Sequence, residues 1–174
     1  GRLLGKLKGK PEAGEGLWYL ASDIGSDAEF ECWLFTDPVN TGYALTQLTE
    51  NLLAQAAEKN GELQTKRIAA LDVTQTEGRP IIESDWLYTV GKAPETLAGY
   101  LKLRTTLVNG RTIVCAHNEL GYRETFSTFF TSLVSSLEVK ADEKKTPYYA
   151  SLMISALGDQ RVGFTRTEFS LDQD

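Results

Sequence analysis

From residue 63 to residue 118 the chain alternates with a period of two, the spacing of a strand whose side chains point to opposite faces. "LQTKRIAALDVT" (63–74), "PIIESDWLYTV" (80–90), "GYLKLRTTLV" (99–108) and "RTIVCAH" (111–117) each read as a strand. The last two flank Asn109-Gly110, a pair that two-residue hairpin turns favour because both positions need positive φ. With 109 and 110 as the loop, Val108 faces Arg111 and the register follows. Leu101, Leu103, Leu107, Val114 and Ala116 fall on one face; Lys102, Arg104, Val108, Ile113, Cys115 and His117 fall on the other. That register sets Arg104 opposite Cys115 and Lys102 opposite His117.

Around this stretch the pattern changes period. "LWYLAS" (17–22) and "EFECWLF" (29–35) are strand-like runs joined by the turn-forming "DIGSDA". In the second run Phe30, Cys32 and Leu34 share one face and Glu31, Trp33 and Phe35 the other, so the strand is covered on both sides. Residues 36–61 predict a surface helix: Asp37-Pro38 and Asn40-Thr41 offer caps, Leu45, Leu48, Leu52 and Ala56 form the stripe, and Asn60-Gly61 the stop. A second helix follows "NELG", with Phe126, Phe129, Phe130, Leu133, Val134 and Leu137 at helical spacing. After the charged loop 140–147, "YYASLMISAL" and "QRVGFTRTEFSL" form a last hairpin turned at Gly158-Asp159. The order is β-β-α-β-β-β-β-α-β-β: an α+β domain over 17–174, with a twisted antiparallel sheet of about six to eight strands and two main helices packed against it. Residues 1–16, with five glycines and four basic residues among leucines, read as a flexible tail.

Composition removes some function classes. A chain of 174 residues with 41% hydrophobic residues can bury a core without metals or disulfides. The net charge of −6 opposes general nucleic-acid binding. No apolar run reaches the roughly 20 residues of a membrane-spanning helix, although a removed N-terminal segment could have tethered the chain. Cys32 and Cys115 fit one disulfide in a periplasmic or extracellular setting, and equally two buried thiols in the cytoplasm.

The chemistry-bearing residues cluster around the one histidine. Cys115 and His117 point the same way but lie roughly 6–7 Å apart, from a rise of about 3.3 Å per residue, beyond hydrogen-bond reach. Arg104 and Lys102 across the hairpin would lower the pKa of an exposed thiol, so Cys115, His117 and Arg104 are the residues a cysteine enzyme would use. No oxyanion loop accompanies them, and "VCAH-NELG-YRETFSTFF" reads as a strand end, a turn and a helix start. No metal-ligand spacing exists; Asp23, Asp27 and Glu29 form a solvated acidic turn rather than a calcium loop. Phosphate-binding glycine motifs are absent, and no cofactor is expected. Aromatic residues on strands are the remaining clue. Trp18, Trp33, Trp86 and Tyr88 would offer a protein partner an apolar patch if the sheet left a face uncovered by helices.

A hairpin, a helix, a four-strand meander and a helix carrying Phe126, Phe129, Phe130, Leu133, Val134 and Leu137 after "RTIVCAH" resemble the PsbP-like α/β/α sandwich. That fold includes photosystem II extrinsic subunits, Ran-binding import factors and bacterial secretion chaperones. The resemblance covers roughly residues 17–139 and implies a protein-binding role. The expectation is therefore a non-enzymatic accessory domain that offers a sheet face or rim to a protein partner. A carrier of small apolar ligands is the alternative, and a cysteine enzyme the third reading.

Overall fold

The computed structural model describes residues 17–23, 29–35, 41–108, 111–137 and 149–169. The strands are β1 (Leu17–Asp23), β2 (Glu29–Phe35), β3 (Leu63–Thr76), β4 (Arg79–Lys92), β5 (Glu95–Val108), β6 (Arg111–Asn118), β7 (Tyr149–Leu157) and β8 (Gln160–Phe169). The helices are α1 (Thr41–Asn60) and α2 (Arg123–Ser136). This is the α+β order expected from the sequence. The N-terminal tail, the acidic turn at 24–28, the caps before Thr41, the Asn109-Gly110 turn and the loop 140–147 lie outside the described residues.

Six strands form one antiparallel sheet in the order β1-β2-β6-β5-β4-β3, and β7-β8 form a separate ribbon. The chain leaves β2 at one side of the sheet and crosses by α1 to β3 at the far edge. It then returns strand by strand until β6 pairs with β2. Val108 faces Arg111, and Lys102 and Arg104 lie opposite His117 and Cys115, as the turn chemistry dictates.

Each face of the sheet is covered. On one face α1 and the ribbon close a core that contains Leu45, Leu53, Ile82, Val90, Leu101, Leu103 and Val114, with Leu152, Ile154 and Phe164 of the ribbon against it. On the other, α2 lays Phe126, Phe129, Phe130 and Val134 over Phe30, Ile81, Val108 and Ile113. β2 serves both, which explains its two apolar faces: Trp33 and Phe35 join the first core, Phe30 and Cys32 the second. The expectation of a sheet face free of helices is corrected here. Two amphipathic helices and one ribbon suffice to cover both sides of a sheet of this width.

Tyr88 shows how tightly one face is filled. Its ring lies over Gly99, where a Cβ would come within 2.1 Å of the ring. The bare glycine lets the phenol reach across the sheet and donate to Asn118 Oδ1 at 2.8 Å. Gly99 is therefore a close-approach glycine rather than a turn glycine.

Cys32 and Cys115 face each other across β2 and β6 and are disulfide-bonded. The bond joins residues 83 apart, and both cysteines are buried in the core under α2. Closing so long a loop restricts the unfolded chain strongly, by about 4.5 kcal/mol in the chain-entropy estimate. Cys32→Ala/Cys115→Ala is expected to lower the urea unfolding free energy by about 2–4 kcal/mol. Thiol alkylation followed by mass should be silent until the protein is both unfolded and reduced; alkylation of the native, unreduced chain would contradict the bridge.

Candidate functional site

The sheet face under the first turn of α2 is not apolar. Strand alternation points Glu83 and Asp85 of β4, and Tyr100, Lys102 and Arg104 of β5, toward α2. Asp85 is 0% exposed and accepts three hydrogen bonds. Arg104 Nη1 donates to Oδ1 at 2.6 Å, while Arg123 Nε and the Tyr100 hydroxyl donate to Oδ2 at 2.8 and 3.0 Å. Arg123 Nη2 also donates to Glu83 Oε2 at 3.0 Å, and Arg104 Nε to Ser127 Oγ at 3.0 Å. Both arginines thus fasten the start of α2 to β4 and β5.

Lys102 and His117 sit beside this network without its partners. Lys102 is wholly buried; its ammonium donates to the carbonyl of Glu119 and lies 4.9 Å from the centre of the Tyr100 ring. Burial, aided by Arg104 and opposed by Asp85 and Glu119, lowers its pKa to about 8. His117 stacks on Phe126 at 5.7 Å, and neither ring nitrogen has a hydrogen-bond partner. Burial first, then the Lys102 charge, pushes its pKa down to about 4, so the ring is neutral at pH 7. Burial and Asp85 raise the Tyr100 phenol, and the bond to Asp85 raises the Arg123 guanidinium.

Cys115, His117 and Arg104 therefore share one face, as the register predicts. In this disulfide form Cys115 has no thiolate, and Arg104 is committed to Asp85 and Ser127. The three make no nucleophile–base pair here. Of the aromatic candidates, Tyr88 is only 7% exposed, and Trp33 and Trp86 are half-buried against the α1-side core. Trp86 Nε1 donates to Ser84 Oγ at 3.0 Å. Trp18 pairs through its backbone with Leu34, and its side chain lies outside the described residues. The expected exposed patch is thus not formed by Trp33, Trp86 and Tyr88, because Tyr88 is buried and the two tryptophans pack against the α1-side core. Asp85, Glu83 and Arg123 were missed by sequence reasoning. The signal was present: charged residues at alternate positions in two adjacent, otherwise buried strands must meet across the ladder.

Two further features remain. A cavity of about 320 Å³ opens between the end of α1 and the sheet, lined by Leu52, Ala56 and Leu101 together with the polar Glu31, Gln55, Lys59 and Asn118. The second feature is the β7–β8 ribbon, whose inner face is packed. Met153, Leu157, Val162 and Phe169 are 58%, 78%, 49% and 60% exposed. No helix among the described residues is long and apolar enough to cross a membrane.

No protein-family model and no curated protein matches the chain. The crystal structure of a Pseudomonas aeruginosa protein of unknown function is similar with a TM-score of 0.40 and 10% identity, covering 75% of this chain and 89% of that one.

Removing one partner from the buried network should be costly. Asp85→Ala leaves Arg104 buried without its carboxylate, an expected loss of about 3–5 kcal/mol in urea unfolding. Arg123→Ala, whose side chain is 46% exposed, should cost no more than about 1 kcal/mol. Equal losses would contradict the assignment of Asp85 as the centre. His117 predicts an acid limb. Its imidazole titrates near 6.5 when unfolded and near 4 when folded, so its contribution is complete above pH 6.5 and fades as pH falls toward 4. The expected change is about 3 kcal/mol, and His117→Phe should flatten that limb without loss of stability at pH 7. An unchanged stability–pH curve in His117→Phe would refute it.

Proposed function

We propose that this domain is a protein-binding module and that its binding rim is the β7–β8 ribbon. The observation that carries the reading is the ribbon's two-sidedness. Leu152, Ile154 and Phe164 pack into the α1-side core, whereas Met153, Leu157, Val162 and Phe169 stand in solvent on one small element. Exposed apolar side chains along one small element offer contact to another protein surface. The PsbP-like resemblance supports the same reading, since members of that fold mostly bind proteins. The disulfide supports placement in an oxidising compartment, the periplasm or the exterior.

A second reading, a carrier of a small ligand, is favoured by the cavity at the end of α1, whose volume of about 320 Å³ is that of a small-molecule site. The two readings use different surfaces and can be separated. A photo-crosslinking amino acid at position 153 should give protein adducts in the native host. The same group at position 97 should not; Leu97 is equally exposed but lies at the β4–β5 tip. Adducts at both positions in equal yield, or at neither, would remove the ribbon from consideration.

A further inference from the structure

The ribbon has a second property besides its exposed apolar side chains: an open strand edge without the usual protection. β8 is the anchored strand. Arg161 pairs with Asp72 and donates to the Leu71 carbonyl at 3.2 Å, and Arg166 donates to Thr41 Oγ1 at 3.3 Å. These contacts tie β8 to β3 and α1. β7 pairs with β8 alone, and among the described residues no other strand meets its outer edge.

Open edges are normally guarded by charge, proline, bulges or brevity, since their free amides and carbonyls recruit other strands. The β3 edge of the main sheet follows this rule: it carries Lys66 and Arg67, both exposed, and two register irregularities against β4. The ribbon has one register irregularity, between Ser155 and Ala156, but its extra residue, Val162, belongs to β8, so β7 itself carries no bulge. Its nine residues, "YASLMISAL", include no charge, no proline and no glycine.

We infer that the β7 edge pairs antiparallel with the β7 edge of a second copy of this chain, about a two-fold axis at Met153. This inference rests on the reading of the ribbon as the binding rim and names its partner. The sequence of β7 suits self-pairing. Met153 is its central residue, so a two-fold axis there places Met153 opposite the partner's Met153, Leu152 opposite the partner's Ile154, and Ser151 opposite the partner's Ser155. Apolar meets apolar on the inner side and hydroxyl meets hydroxyl on the outer side, with no charge opposed to a like charge. Two chains of net charge −6 repel over most of their surfaces, and an uncharged strand is the kind of surface through which they can still join. The product is a four-stranded sheet, β8-β7-β7-β8, in which the two exposed methionines cover one another.

The test is the solution mass of the wild type, Met153→Lys, Met153→Glu and an equal mixture of the two variants, by analytical ultracentrifugation. Circular dichroism confirms that each is folded. The wild type is expected at twice the chain mass of 19.2 kDa, each variant alone at the chain mass, and the mixture at twice it again, because lysine then faces glutamate. If the Met153 variants unfold, Ser151→Lys/Ser155→Lys mixed with Ser151→Glu/Ser155→Glu asks the same question at the two flanking polar positions of the same strand face. A wild type that stays at the chain mass at all concentrations overturns the inference. So do variants that remain dimeric, or a mixture that fails to re-form the dimer. A monomeric wild type whose position-153 crosslinker still captures a different protein would overturn self-pairing alone and leave the binding-rim reading standing.

Discussion

Asp85 is the point on which the α2 side of the molecule turns. A carboxylate buried completely in the middle of a sheet is unfavourable unless it is fully hydrogen-bonded and paired, and here three donors from β5 and α2 converge on it. Arg104 could not be buried without it, and the start of α2 would lose its tie to the sheet. The same residues also guard register. A slip of β4 by one position would swing Glu83 and Asp85 to the other face, into a core built from Leu101, Leu103 and Val114. The charges do not balance, however. Arg104, Arg123 and Lys102 face Glu83 and Asp85, one cation in excess; burial above all, and then the Lys102 charge, keeps the neighbouring His117 neutral. Its unpartnered nitrogens are tolerable because an uncharged imidazole between Phe126 and Tyr122 behaves largely as a flat aromatic ring.

Much of this architecture was legible in the sequence wherever a local signal existed. Asn109-Gly110 alone determines the β5–β6 register, and hence that Arg104 and Lys102 lie across from Cys115 and His117. The phenylalanine stripe marked the packed face of α2, and the two apolar faces of β2 marked a strand covered on both sides. What was hidden depended on contacts between distant segments. The disulfide requires β2 to lie beside β6, and nothing near Cys32 or Cys115 announces that pairing. The β4–β5 register was obscured because "GKAPETLA" reads as a break, whereas the strands run on to Lys92 and resume at Glu95 around Ala93-Pro94. Without that register Asp85 and Glu83 could not be set against Lys102 and Arg104. The aromatic candidates failed for a related reason. Period-two alternation tells which residues share a face, as it did for Trp86 and Tyr88, but not whether a helix lies on that face.

The C-terminal ribbon differs from the rest of the protein in how its order is maintained. An isolated two-stranded ribbon is marginal in water, because it has too little apolar face to offset the ordering of its backbone. Here Leu152, Ile154 and Phe164 contribute only partial burial, and polar contacts from Arg161 and Arg166 supply the remaining attachment on the β8 side. Among the described residues, nothing comparable holds β7 from its outer side. β6, which also has an apolar, uncharged centre, is paired on both edges, whereas β1 (LWYLASD) shares with β7 the position of an edge strand. The composition of β7 is that of an interior strand placed at an edge. Hydrogen bonds to a further strand would complete its ladder and extend the apolar face, so the same contact that recognises a partner would also steady the element that presents it.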